Sequence, residues 1–282
     1  MSRIAVTGGS GKLGRAVVAD LLAHGHEVVN LDVAPPPRPQ GRFVRIDLTD
    51  YGQVVDALTD IDEGPGAFDA VVHLAAIPAP GVTANAATFA NNATATYHVF
   101  AAARTAGITR VVWASSETVL GLPFDTPPPY LPVDEEYPAR PESTYSLVKH
   151  LEEQMAAQFC RWNPALTMIG LRFSNVMEPG DYAAFPSFQE DPRRRIWNLW
   201  GYIDARDGAQ AVRRALGYDG TGVEVFIIAN ADTVMEKSSG ALAAEYFPDV
   251  PVIRPLGEHE TLLGIDKAKR LLGYAPEHSW RT

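Results

Sequence analysis

Arg3-Ile4-Ala5-Val6-Thr7-Gly8-Gly9-Ser10-Gly11-Lys12-Leu13-Gly14 is the stretch on which the reading of this chain turns. Residues 3–7 are short, apolar and branched, as in a strand buried on both faces of a parallel sheet. Past the glycines, Leu13, Val17, Val18, Leu21 and Leu22 recur at helical spacing, and Gly25 ends that helix. Glycines in such a loop permit a tight turn and let backbone N–H groups approach a pyrophosphate at the positive end of the helix. A glycine triplet is weak on its own. Here it has the strand–turn–helix context, and an acid, Asp32, ends the next strand, Glu27–Asp32. Gly8, Ser10, Gly11, Lys12, Leu13 and Gly14 are therefore candidate dinucleotide contacts. Asp32 would accept from ribose hydroxyls and repel a 2′-phosphate, which favours NAD over NADP. Arg38 and Arg42 downstream soften that preference.

The alternation continues outward from this unit. A proline run, Pro35-Pro36-Pro37, precedes a strand over residues 42–46, and a helix follows over 51–59. Strands are expected over 70–74, 110–114 and 166–172, with helices over 86–106 and 143–162 between them. Strands alternating with helices imply an α/β fold, a doubly wound parallel sheet of the NAD(P)-binding Rossmann type. Residues 121–141 carry seven prolines and read as a long loop over the surface. Beyond residue 173 loops and short helices mix with one strand over 225–228. The expected division is a nucleotide-binding domain over 1–172 and a smaller, partly interleaved substrate-binding region over 173–282.

The 282 residues carry 24 basic and 34 acidic side chains, a net charge of −10, which argues against nucleic-acid or membrane-surface partners. Cys160, the single cysteine, excludes an internal disulfide framework and reads as a small buried hydrophobe. The chain runs from Met1 straight into a strand, with no signal-peptide pattern and no apolar run of membrane-spanning length. A cytoplasmic location is expected.

Tyr145 and Lys149 are four residues apart on a helix, and so share a face. A tyrosine acting as a base near neutrality needs its pKa lowered by about three units, or ~4 kcal/mol. A lysine ammonium about 4 Å away supplies an interaction of that size, and an oxidised nicotinamide would add a second positive charge. Ser115 and Ser116 follow a strand, at the end where parallel sheets bind ligands. Ser116 is placed to orient a substrate oxygen.

Together these pieces resemble the extended short-chain dehydrogenase/reductase family, also described as the NAD-dependent epimerase/dehydratase family, over nearly the whole chain. Thr7 to Gly14 matches T-G-G-x-G-x-x-G, and Asp47-Leu48 matches the acid after the third strand that contacts adenine. His73-Leu74-Ala75-Ala76 matches the H-x-A-A segment beside the cofactor, and Asn92 stands at the asparagine of N-x-x-G-T, with Ala95 for the usual glycine. The segment from Ala114 to Gly121 looks like S-S-x-x-V-Y-G, with Leu120 for the tyrosine. Tyr145 and Lys149 match the catalytic pair, Leu171 to Val176 matches L-R-x-x-N-V, and residues 266–276 look like the closing module. The resemblance implies a catalytic Ser116, Tyr145 and Lys149. It also implies cofactor contacts from the glycine loop, Asp32, Asp47, Leu48, Leu74, Ala75, Ala76, Asn92, Ala114, Ser115, Tyr145 and Lys149.

Relatives acting on nucleotide sugars carry a longer stretch after the asparagine of L-R-x-x-N-V. Here 26 residues separate Asn175 from Tyr202, where the next family pattern resumes. That length is similar to compact members that oxidise free sugar acids, the uronate dehydrogenases. Dehydratases have Thr-Asp-Glu where Ser116-Glu117-Thr118 stands, so their acid pair is not intact. The expectation is an NAD-dependent dehydrogenase acting on a secondary alcohol of a sugar or sugar acid. The alternatives are a nucleotide-sugar 4-epimerase or dehydratase with tightly bound NAD, and a non-catalytic NAD-binding redox sensor. Ser116, Glu117, Asn175 and Arg195 are candidate substrate contacts. The run Arg193-Arg194-Arg195 reads first as a solvated charge run beside packing aromatics, and second as a rim whose Arg195 binds a carboxylate. His73 reads as a packed residue. No metal-ligand spacing is present. Family members dimerise through helices equivalent to 86–106 and 143–162, so a homodimer is expected.

Overall fold

A computed structural model describes residues 1–59 and 68–282. In chain order the elements are β1 (Arg3–Thr7), α1 (Lys12–Ala23), β2 (Glu27–Asp32), β3 (Arg42–Arg45), α2 (Tyr51–Thr59), β4 (Ala70–His73), α3 (Asn85–Thr105) and β5 (Arg110–Ser116). They continue with α4 (Thr144–Trp162), β6 (Thr167–Phe173), β7 (Val176–Met177), α5 (Pro186–Gln189), β8 (Ile203–Asp204), α6 (Ala205–Leu216), β9 (Gly222–Ile228), α7 (Ser239–Tyr246) and α8 (Asp266–Leu272).

Neighbouring residues of the central strands face opposite cores. Ile4 and Val6 of β1, Val72 of β4 and Val112 of β5 join one cluster with Val17 and Leu21 of α1 and Ala211 and Val212 of α6. Ala5, Val71 and Val111 join the other with Leu58 of α2, Phe100 of α3 and Phe159 of α4. That alternation is the period of two expected of strands, and burial on both faces explains why they read as unbroken apolar runs. The seven strands pair in parallel in the order β3-β2-β1-β4-β5-β6-β9. Strand order reverses between β1 and β4, which opens a crevice beyond their carboxyl ends. No helix among the described residues is long and apolar enough to cross a membrane.

Two expectations are corrected. The strand expected over 225–228 begins at Gly222 and pairs along its whole length with β6. Residues beyond 173 thus contribute β9 and α6, which packs on α1, to the main layers. Residues 121–141 lie only in part over the surface. Prolines suppress the periodic pattern there, yet Leu122, Phe124, Leu131, Val133 and Tyr137 are buried, and Leu131 and Val133 bridge to Val252 and Leu263.

Candidate active site

A cleft of about 850 Å³ runs across the carboxyl ends of β1, β2, β4, β5 and β6. At one end lies the glycine loop. A Cβ on Gly14 would collide with the Gly8 carbonyl oxygen, and Gly8 has φ +71°, with a Cβ there 2.5 Å from the Ala75 nitrogen. The close approach of α1 to β1 and β4 therefore requires these glycines. Gly11 stands at the cap position before α1 and offers no side-chain cap, so the helix's first N–H groups are open to an anion. Asp32 Oδ2 accepts from the Ser10 N–H at 3.0 Å, which brings the carboxylate against the loop. Asp47 accepts from both the N–H and hydroxyl of Thr49, and those bonds hold its carboxyl below the usual range. The uncapped helix, the glycine turn and Asp32 together fit a dinucleotide.

The middle of the cleft is set by α4. Ser143 caps it, accepting from the Ser146 N–H at 3.1 Å while Ser146 Oγ accepts from the Ser143 N–H at 2.8 Å. This fixes the first turn, from which Tyr145 and then Lys149 project into the cleft opposite Ser116. Ser116 Oγ accepts from the N–H and the hydroxyl of Thr118 at 3.2 and 3.0 Å, leaving its own hydrogen to donate, and its hydroxyl pulls the Tyr145 pKa down. Lys149 Nζ donates to the Ala114 carbonyl at 2.8 Å and to Glu152 Oε2 at 2.9 Å, and stands 6.0 Å from the centre of the Tyr145 ring. Glu152 Oε1 accepts from Thr96, whose oxygen lies 3.0 Å from His73 Nε2, while Nδ1 lies 2.7 Å from the Thr7 hydroxyl. The carboxylate can only accept, so Thr96 donates to it, His73 Nε2 donates to Thr96 and Thr7 donates to Nδ1. His73 is thus a neutral packed residue, its pKa lowered to about 3 by burial and then by Lys149.

One electrostatic expectation is corrected here. The Tyr145 pKa is raised above its ordinary value: burial of the phenol outweighs the pull of Lys149, and Glu152 pushes the same way as burial. Lys149 alone does not make the phenol acidic.

At the far end Glu117, Ser174, Asn175 and Trp197 line the cleft. Burial pushes the Glu117 carboxyl up to about 7, against the pull of Ser174, Asn198 and Arg195. Arg193 and Arg194 are exposed, but Arg195 is buried, so the solvated reading of the run fails at its third member. Arg195 follows the turn 192–198 inward, over the rings of Phe188 and Trp197. Trp200 and Tyr202 are fully buried packing aromatics.

Of the residues expected from sequence, Gly8, Ser10, Gly11, Lys12, Leu13, Gly14, Asp32, Asp47, Leu48, Leu74, Ala75, Ala76, Ala114, Ser115, Ser116, Glu117, Tyr145, Lys149 and Asn175 all line this one cleft. Asn92 and Arg195 do not. Asn92 stands behind the wall, its amide donating to the Ile77 carbonyl and accepting from its N–H at 3.0 and 2.8 Å, while its neighbour Asn91 faces the cleft. Ser115 Oγ donates to Glu153 at 2.6 Å, a carboxylate also held by Arg172. Ser174 went unnoticed in the sequence. Its place one residue past a strand's carboxyl end was the available signal. Among the described residues no group of three or more histidine, cysteine or acidic side chains is arranged to hold a metal.

The family described as NAD dependent epimerase/dehydratase matches residues 4–229. The L-arabinose 1-dehydrogenase (NAD(P)(+)) of Haloferax volcanii is 31% identical over 224 residues, 77% of this chain and 83% of that protein. The uronate dehydrogenase of Pseudomonas syringae pv. tomato is 26% identical over 249 residues, 88% of this chain and 82% of that one. A crystal structure of UDP-galactose 4-epimerase superposes with a TM-score of 0.71 at 26% identity, covering 98% of this chain and 94% of its own.

Proposed function

The chain belongs to the NAD-dependent epimerase/dehydratase family, and from that premise we propose that it is an NAD-linked dehydrogenase of a free sugar or sugar acid, with Ser116, Tyr145 and Lys149 as its acid–base site. The observation that carries this is the single cleft joining the glycine loop to Ser116, Tyr145 and Lys149. Supporting it, the segment after Asn175 is short for gripping a nucleotide, and the chain is similar to an arabinose and a uronate dehydrogenase. Residues 1–172 with α6 and β9 hold the cofactor, and the remaining segments beyond 173 form the substrate side.

When bound, the dinucleotide supplies the acceptor for the hydride. The glycine loop and the open end of α1 hold its pyrophosphate, and Asp32 holds the adenosine ribose and favours NAD over NADP. Tyr145 removes the proton of the substrate hydroxyl, and Ser116 donates a hydrogen bond to the same oxygen. Lys149, fixed by Ala114 and Glu152, stabilises the phenolate. Replacing Tyr145 with Phe removes the proton acceptor and leaves the loop untouched. NADH formation with a panel of sugars and uronic acids is expected to fall about 10²–10⁴-fold while calorimetric NAD affinity holds. Conversion of a UDP-sugar with no net NADH selects the epimerase instead, and tight NAD binding with a silent panel selects the redox sensor.

The protein also acts as a homodimer in this reading. Phe89 and Tyr97 on α3 and Leu147 and Leu151 on α4 leave large apolar side chains in water on two helices that pack side by side. Sedimentation is expected to give twice the chain mass, and Leu151→Asp to give monomer. A wild-type monomer ends this part of the proposal.

A further inference from the structure

Beyond Ser116, toward the substrate end, the cleft is lined by a carboxyl. Glu117 opens the turn after β5 and is almost wholly buried, with Oε1 accepting from Asn198 Nδ2 at 3.2 Å. The nearest guanidinium, Arg195, is already engaged. Its Nη1 donates to Asn175 Oδ1 at 2.9 Å and its Nη2 to the Gly201 carbonyl at 2.8 Å. The turn that aims it carries two consecutive buried residues in the left-handed region, Leu199 at φ +54° and Trp200 at φ +58°. Strain of that kind persists only where the surroundings over-determine it, and it concentrates at functional sites.

Among the described residues lining the cleft, the only cations are Lys12 and Lys149. Lys12 belongs to the glycine loop and pairs with Asp181, and Lys149 pairs with Glu152. No free positive group therefore faces the substrate end. The residues that line it are Ser116, Glu117, Ser174, Asn175 and Trp197. Those groups suit hydroxyls and a C–H face.

Resting on the dehydrogenase reading above, we infer that this site selects a neutral polyhydroxy substrate, an aldose, over the matching uronic acid, with Glu117 as the group that discriminates. Its carboxylate accepts from sugar hydroxyls and repels a substrate carboxylate at the same place. Arg195 is a positioning residue, holding Asn175 toward the cleft and partly balancing Glu117. The charged or titratable groups facing Glu117 are Arg195 from the turn 192–198 and Tyr145 from α4. Since burial keeps the Glu117 proton to about pH 7, the discrimination grows as the pH rises through that value.

The test uses matched pairs, a hexose and the uronic acid that differs from it only at C6. Each is assayed for NAD-linked oxidation, and for equilibrium binding to the NADH complex, which cannot oxidise it. The hexose is expected to be favoured in both by on the order of tenfold or more, the gap widening between pH 6 and pH 8. In Glu117→Gln the gap narrows, chiefly through a lower KM for the uronate. A uronate that binds and reacts as well as its hexose, or a gap unchanged in Glu117→Gln, overturns the inference and leaves the dehydrogenase standing. Failure of both sugars with inversion of a UDP-sugar removes the dehydrogenase and this inference with it.

Discussion

Glu152 lies three residues after Lys149, and the two charges meet at 2.9 Å with both side chains out of water. The Thr7–His73–Thr96 chain points its hydrogens at the same carboxylate, so the counter-charge is anchored from the sheet as well as from α4. Its effect on the neighbouring phenol is to offset Lys149. Together with burial it keeps Tyr145 protonated until a further positive charge arrives. In Glu152→Gln that offset is gone. The Tyr145 pKa falls, the base form is present at lower pH, and the acidic limb of kcat/KM moves toward lower pH. The same change removes one partner of a buried pair, and stability should drop by roughly 3 kcal/mol in urea unfolding. Glu152→Asp keeps the charge and should restore the position of the limb. A limb that stays in place or moves upward in the Gln variant would mean that Glu152 only packs.

The elements that build the cofactor side were legible because each obeys a local rule. β1 and α1 are separated by glycines that a strand-to-helix turn demands, and α4 opens at Ser143, whose hydroxyl caps it. β5 and β6 ended one or two residues later than their apolar runs suggest, because Ser115, Ser116 and Phe173 still pair across the sheet. What pattern could not reach depends on distant partners. Glu117 and Arg195 are 78 positions apart by number, and nothing near either one in sequence says that both are buried. The same holds for Asn92. Its family position is at the cofactor, while its amide is committed to the backbone of Ile77. The proline-rich stretch hid buried residues such as Leu131 and Val133 because they are anchored by the distant segment 251–264, with no helix or strand period to announce them.

At the scale of the whole molecule, the buried polar groups set how stability answers to pH, and two of them act in opposite senses. His73 has its pKa lowered from 6.5 to about 3, so the unfolded chain takes up a proton near pH 6.5 that the native protein refuses. Stability from this residue is present above pH 6.5 and is lost as pH falls, at about 1.4 kcal/mol per pH unit. Glu117 has its pKa raised from 4.5 to about 7, so the native protein keeps a proton that the unfolded chain has released. Its share is present below pH 4.5 and is lost as pH rises toward 7, at about the same slope. Between pH 4.5 and 6.5 the two slopes oppose each other, and their sum is close to flat. Glu117→Gln cannot titrate, so it leaves the His73 slope unopposed. All other groups are common to both proteins and cancel in the difference. Plotted against pH, the unfolding free energy of Glu117→Gln minus that of the wild type should therefore climb by about 1.4 kcal/mol per unit from pH 4.5 to 7 and level off on either side. Urea titrations at half-unit steps measure it directly. A difference that is flat across that window would place the Glu117 carboxyl in an ordinary, hydrated setting, and the discrimination assigned to it at the substrate end would lose its physical basis.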